Sequence, residues 1–390
     1  LKTHKINKTY KEINKKIQSG DVVVVTAEEM VGIVKDAGPE EAAHHVDVVT
    51  TGTFAPMCSS GAFINFGHAT PKIRATHIWF NNVPAYGMIA AVDCYLGATA
   101  TSENDPLNRA YPGDFNYGGG HVISDLAAGK TMHFKASGYP TDCYPNHLVE
   151  KESITLDDLP QVTLCNPRNS YQNYNCAINR TNKTIYTYMG TLKPRMGNAN
   201  YSTSGELSPL FNDPYYLTIG MGTRIFLGGG EGYVAWYGTQ HDPHVNRTER
   251  GVPVGGAGTL WTMGDLKKMS PRWLVGMSIR GYGCSLAVGI GVPIPILNED
   301  MARYTSISDK DIYTQVIDYG HDYGQGISKS YAQVSYAELK SGSIRVEGQD
   351  VPSVPLSSMV KAREIAETLR RWIVSEQFTL GEPVFTLPRV

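Results

Sequence analysis

Six cysteines, at positions 58, 94, 143, 165, 176 and 284, are the residues of this 390-residue chain best suited to covalent chemistry. No two lie closer than eleven positions, so C-x-x-C pairs and the spacings of zinc ribbons and ferredoxins are missing. They read as thiols. Cys58 stands in Thr50-Thr51-Gly52-Thr53-Phe54-Ala55-Pro56-Met57-Cys58-Ser59-Ser60-Gly61, after a buried strand and a glycine turn. If Ser59-Ser60-Gly61 opens a helix or a nest of amides, backbone N–H groups face the sulfur, lower its pKa and stabilise a thiolate or persulfide. The competing reading is a buried structural cysteine, the commoner fate of a lone one. Cys143 lies between Pro140 and Pro145, which stiffen its loop, and the adjacent Asp142 opposes a thiolate. Cys94 and Cys284 sit among small apolar residues and behave as small hydrophobes. Cys165 ends a short strand, and Cys176 sits in a polar loop.

Several side chains suit a small amino-acid ligand. Arg168, in Asn166-Pro167-Arg168-Asn169, offers a planar fork to a carboxylate, with the Asn169 amide and several phenols beside it. Arg224, leading into Ile225-Phe226-Leu227, is either an anion anchor or an ion-paired structural residue. Glu206 could receive an ammonium. His121, which follows Gly118-Gly119-Gly120 at the start of a predicted helix, and His241 are candidate proton donors near neutral pH. His241 with His244 lacks a carboxylate framework at helical spacing, so no metal is expected. No phosphate loop or dinucleotide fingerprint occurs, so no intrinsic cofactor is expected.

The elements that must position these residues read as a mixed α/β fold, one large domain over 1–390 with long loops rich in Gly, Asn and Tyr. A helix over 8–18, a buried strand over 21–25 and a capping box at Thr26–Glu29 open the chain. The helix behind that box ends near Gly38, and a short one over 39–45 feeds a strand over 46–50. Short β runs follow at 77–81, 131–137, 184–189 and 232–236. The segment 166–182 reads as a loop, too polar for a core element and too aromatic for a linker, hence functional. The run 286–297, with Pro293 and Pro295, reads as a buried strand leaving the sheet, and a helix over 358–377 carries Val360, Ile365, Leu369, Trp372 and Ile373 on one stripe. The net charge of −2 argues against a nucleic-acid partner. With no apolar run of membrane-spanning length and no signal-peptide core at its start, the chain is expected in the cytoplasm.

Several of these stretches resemble the homocysteine-biosynthesis domain of anaerobic archaea and bacteria. They are Asp47 to Phe54 with Cys58-Ser59-Ser60-Gly61, Asn65-Phe66-Gly67-His68, Thr141-Asp142-Cys143-Tyr144-Pro145, Asn166-Pro167-Arg168-Asn169, Tyr186 to Thr191, Gly222 to Gly230 and Gly238-Thr239-Gln240-His241. The resemblance runs over nearly the whole chain. It implies an L-aspartate semialdehyde sulfurtransferase: a cysteine persulfide delivers sulfur to the aldehyde, and two-electron reduction gives homocysteine. The family's two cysteines correspond to Cys58 and Cys143, one carrying sulfur and the other resolving, with Cys58 favoured as carrier. It also implies a sulfide or persulfide donor and a ferredoxin-like iron–sulfur partner that supplies electrons from its own cluster. A homo-oligomer is compatible. Relatives often append a pair of CBS (cystathionine-β-synthase-type) domains, and none is expected here. The competing class is a non-catalytic sulfur carrier or iron–sulfur scaffold.

Overall fold

Thr9 and Glu12 close a reciprocal capping box, and α1 (Tyr10–Ser19) ends at Gly20, whose φ of 75° is a left-handed stop. The same device, Thr26 with Glu29, opens α2 (Ala27–His45) directly after β1 (Val24–Thr26). Gly38, at φ 82°, breaks α2 ahead of Pro39, which accounts for the two helices expected there. β2 (Val48–Thr50) then runs parallel to β1 and antiparallel to Pro293–Pro295. The structure is a computed structural model that describes residues 4–389.

The main architecture is a thirteen-stranded antiparallel sheet. It contains β3 (Thr53–Pro56), β4 (Gly61–Asn65), β5 (His77–Phe80), β6 (Val83–Tyr86) and β7 (Asp93–Gly97). After α3 (Gly119–Ala127) it continues with β8 (Met132–Ser137), β9 (Leu148–Ile154) and β10 (Gln161–Asn169). One flank runs in the order β10-β4-β7-β6-β5-β8-β9, and the other holds the five strands between Arg224 and Gly291. A second, mixed sheet of six strands includes Cys176–Ile178, Ala199–Tyr201 and Gln349–Pro355. The short segment between Asn169 and Cys176 carries the chain from the first sheet to the second. Among the described residues, no helix is long and apolar enough to cross a membrane.

Three elements differ from the sequence reading. The 166–182 segment carries the end of β10 and a strand rather than one loop. Its amides are buried because each finds a partner: Asn169 Nδ2 donates to Thr262 Oγ1, Gln172 Nε2 to Leu210 O, and Asn173 Nδ2 to Pro253 O. The run 286–297 splits at Val292, where Thr51 Oγ1 donates to the carbonyl at 2.6 Å and accepts from the amide at 3.1 Å. In the helix Met359–Val374 the buried stripe is Ala362, Ile365, Ala366, Leu369 and Ile373, while Val360 is 66% exposed.

The glycine triplet that opens α3, with Gly118 at its N-cap, answers a packing constraint. A Cβ on Gly119 would lie 1.8 Å from Gly97 O, and one on Gly120 would lie 2.0 Å from Ser285 O. The helix therefore rests against sheet backbone with no room for a methyl group. Gly120→Ala should cost about 2 kcal/mol or more through overpacking. Gly32→Ala, inside α2 and with nothing within 4 Å of the added methyl, should be neutral or gain up to about 1 kcal/mol. Urea denaturation separates the two variants; equal midpoints would contradict the packing role.

Candidate active site

Cys58 occupies the turn between β3 and β4. The Ser60 amide donates back to Met57 O at 3.0 Å, and β4 begins at Gly61. The helix or amide nest expected at Ser59-Ser60-Gly61 therefore does not form. Gly61 is already committed to ladders with Gly97 and Cys165, which leaves no residue for a helical turn. Without the nest, burial dominates and pushes the Cys58 thiol up. The Ser285 hydroxyl, 3.3 Å from the sulfur, the Tyr282 phenol and the charge on Arg168 oppose that shift.

Ser59 joins this turn to β10. Its hydroxyl contacts Asn166 Oδ1 at 3.0 Å and Arg168 O at 2.6 Å, and Asn166 Nδ2 donates to Ser60 Oγ at 2.8 Å. Against the strand Leu260–Asp265, β10 slips register between Asn166 and Asn169. Pro167, which has no amide to give the ladder, sits in that bulge. The bulge delivers Arg168 to the wall of the cavity that holds Cys58.

The cavity, about 260 Å³, lies where strand ends of the two sheets meet. Cys58, Ser59, Arg168 and Asn169 come from the large sheet, whereas Ser202, Thr203 and Leu356 follow strands of the smaller one. Arg168 is the one charged side chain among the described lining residues, and no carboxylate among the described residues pairs with it. Tyr171, Tyr174, Tyr188, Tyr282 and Tyr323 complete the wall. Tyr188 is a hub, its hydroxyl 2.5 Å from that of Tyr174 and 2.8 Å from those of Tyr319 and Tyr323. Burial pushes Tyr174, Tyr188 and Tyr319 well above the ordinary phenol range, so they stay protonated. Three lining residues, Ser170, Thr203 and Gln240, hold φ of 48°, 72° and 65°. Left-handed backbone is costly for a β-branched threonine, and such strain gathers at functional sites.

Of the residues proposed from sequence, the structure brings Cys58, Arg168 and Asn169 together. Cys143 is exposed, in the loop between β8 and β9. Cys58 precedes β4, whereas the Cys143 loop packs on the segment after it: Tyr144 stacks on His68 at 6.3 Å, and the Asn146 amide donates to Lys72 O at 3.1 Å. Three strands also separate β4 from β8, on the order of 20 Å along the sheet. The Glu206 carboxylate accepts from the Asp309 amide at 2.9 Å and is not a lining residue. The guanidinium fork of Arg224 is filled by Glu231 and Thr379 O, with Phe378 beneath it. His121 reaches Ser278 Oγ at 3.2 Å on α3. His241 accepts from the Thr259 amide through Nδ1 and meets Pro388 O through Nε2, which holds it as a neutral structural imidazole. Burial lowers both histidine pKa values. The remaining cysteines are buried, with burial pushing Cys94 and Cys176 to about 12 and Cys284 to about 11.

Tyr171 and Tyr174 are among the phenols expected beside Arg168, whereas Tyr188, Tyr282 and Tyr323 reach the cavity from distant segments without a local signal. The signal of the first pair is the aromatic density after Arg168, and that of the other three only the overall count of 23.

A half-buried thiol facing an unpaired guanidinium inside a neutral, phenol-lined cavity defines a site for cysteine chemistry on a small anion. The chain belongs to the family described as homocysteine biosynthesis enzyme, sulfur-incorporation, whose model matches residues 22–380. It is 49% identical over 384 residues to a Methanosarcina acetivorans protein named L-aspartate semialdehyde sulfurtransferase, covering 98% of this chain and 73% of that one. A Methanocaldococcus jannaschii protein of the same name is 48% identical over 397 residues, covering 98% of this chain and 74% of that one. No solved structure matches the chain.

Because the thiolate is the species that reacts, alkylation of Cys58 should keep accelerating with pH beyond the ~8.5 of an ordinary thiol. Arg168→Gln should move the curve further toward alkaline pH, since the lost cation favoured the thiolate. Peptide-resolved alkylation measures this. A plateau below about pH 8 would contradict the site's electrostatics.

Proposed function

We propose that this chain converts L-aspartate semialdehyde to L-homocysteine, with Cys58 carrying the incoming sulfur as a persulfide. The observation that supports this most is the shared cavity of Cys58 and unpaired Arg168. The guanidinium takes the substrate carboxylate, which leaves the aldehyde carbon for the sulfur on Cys58. The terminal persulfide sulfur adds to that carbon, and the neutral phenols of the wall supply hydrogen bonds to the oxygen that becomes an alkoxide. Two electrons then cleave the S–S bond, returning Cys58 and leaving a hemithioacetal. Loss of water gives a thioaldehyde, and two more electrons with two protons give the thiol. The sulfane sulfur reaches the Cys58 thiolate by exchange with a persulfide donor, whose thiol leaves, and counted from that donor the demand is four electrons and four protons, two for the S–S bond and two for the thioaldehyde.

This chemistry needs a persulfide donor, or sulfide together with a two-electron oxidant, and a low-potential electron donor, and a ferredoxin-like iron–sulfur protein meets the last need. The exposed position of Cys143 suits exchange with such proteins at the surface better than attack on the aldehyde. A small polar metabolite as substrate fits work in the cytoplasm.

The test is an anaerobic assay with L-aspartate semialdehyde, a persulfide donor and an electron donor, with homocysteine measured by mass spectrometry. Cys58→Ala should lose activity on the order of 10³-fold or more. Arg168→Gln should lose about 1.5–3 kcal/mol of binding, seen mainly in KM. Full activity in Cys58→Ala would end the proposal.

A further inference from the structure

The cavity offers its ligand one full charge, and that charge is positive. Of the described lining residues only Arg168 is ionised, and the others are hydroxyl, amide, thiol, phenol or apolar groups. The carboxylate nearest in sequence to the lining pair Thr203 and Ser208 is Glu206, and it is turned to the Asp309 amide. Burial and the neighbouring Asp309 also raise its pKa, which weakens it as a counter-ion. The acceptors left beside Arg168 are neutral. Asn169 Oδ1 and Ser170 Oγ are unpartnered but also closed off from solvent. An ammonium entering this space would lose water, meet the field of Arg168 and find no anion among the described lining residues to offset either. A carboxylate meets the opposite situation.

We propose that the cavity reads its substrate through the carboxylate and the aldehyde but not through the α-amino group, so that the chain also thiolates 4-oxobutanoate and related aldehydo-carboxylates. This rests on the proposed reading of the Cys58–Arg168 cavity. The reaction is the same in atoms and electrons. The aldehyde oxygen leaves as water, a C–S bond forms to the sulfane sulfur that Cys58 has taken from a persulfide donor, and four electrons and four protons, drawn through an external low-potential reductant, free Cys58 and complete 4-sulfanylbutanoate. Specificity for the amino acid would then come from which aldehyde the cell supplies. A site built to hydrogen-bond a substrate N–H rejects an analogue lacking it by about 10⁴-fold, so the two designs are well separated.

The experiment compares kcat/KM for L-aspartate semialdehyde, 4-oxobutanoate and 3-aminopropanal with the full chain, a persulfide donor and a chemical reductant. The proposal expects 4-oxobutanoate within about thirtyfold of the amino acid, and 3-aminopropanal far below both, since it keeps the ammonium and lacks the carboxylate. Arg168→Gln should depress both carboxylates together. A larger loss with 4-oxobutanoate while L-aspartate semialdehyde is turned over would overturn this inference and leave the proposed function standing. No product from L-aspartate semialdehyde, or unchanged turnover of it by Cys58→Ala, would remove both.

Discussion

The site depends on one buried amide. Asn166, fully buried, receives the Ser59 hydroxyl and the Arg168 amide on Oδ1, while Nδ2 donates to Ser60 Oγ and lies against Met57 Sδ. Every hydrogen-bonding position of the side chain is occupied. The turn that holds the thiol and the strand that holds the guanidinium are thus fastened to the same planar group. Removing it would orphan several polar atoms at about 1–3 kcal/mol each. The cost would fall on the relative placement of Cys58 and Arg168 before it fell on the fold. The bulge at Pro167 belongs to the same arrangement, because it lets Arg168 leave the ladder while Asn166 stays in it.

What the sequence made legible follows from range. The capping box at Thr26 depends on four neighbouring residues, and it forms. Cys58 and Arg168 carry local signals, a glycine turn in one case and a guanidinium among amides and phenols in the other. Their meeting across more than a hundred residues left no local trace. The polar segment after Arg168 was misread because amides usually mean solvent, and the pairings that bury Asn169, Gln172 and Asn173 are non-local. The split at Val292 was hidden because a single hydroxyl, from Thr51, causes it. The environment of Arg224 was readable in principle. In the hairpin Arg224 lies opposite Tyr233, so Glu231 is the diagonal neighbour on the same face, and it fills the guanidinium fork.

Charge placement gives the cavity its character. Arg224 and Glu206 have protein partners, whereas Arg168 has none among the described residues, so its charge is available to a ligand and to the thiolate. The phenols of Tyr174 and Tyr188 contribute hydrogen bonds without contributing charge, since burial keeps them protonated. Tyr282 and Tyr323, 43% and 41% exposed, stand where this wall meets solvent. A guarded interior thiol and the exposed Cys143 accordingly meet different reactants.

The central claim is that sulfur rides on Cys58 inside this cavity. Peptide mass spectrometry on protein quenched with an alkylating agent during anaerobic turnover tests it most directly. The account predicts a mass gain of one sulfur atom on the peptide containing Cys58, lost when excess L-aspartate semialdehyde and reductant are added. Added sulfur confined to Cys143, with Cys58 unmodified throughout turnover, would contradict it.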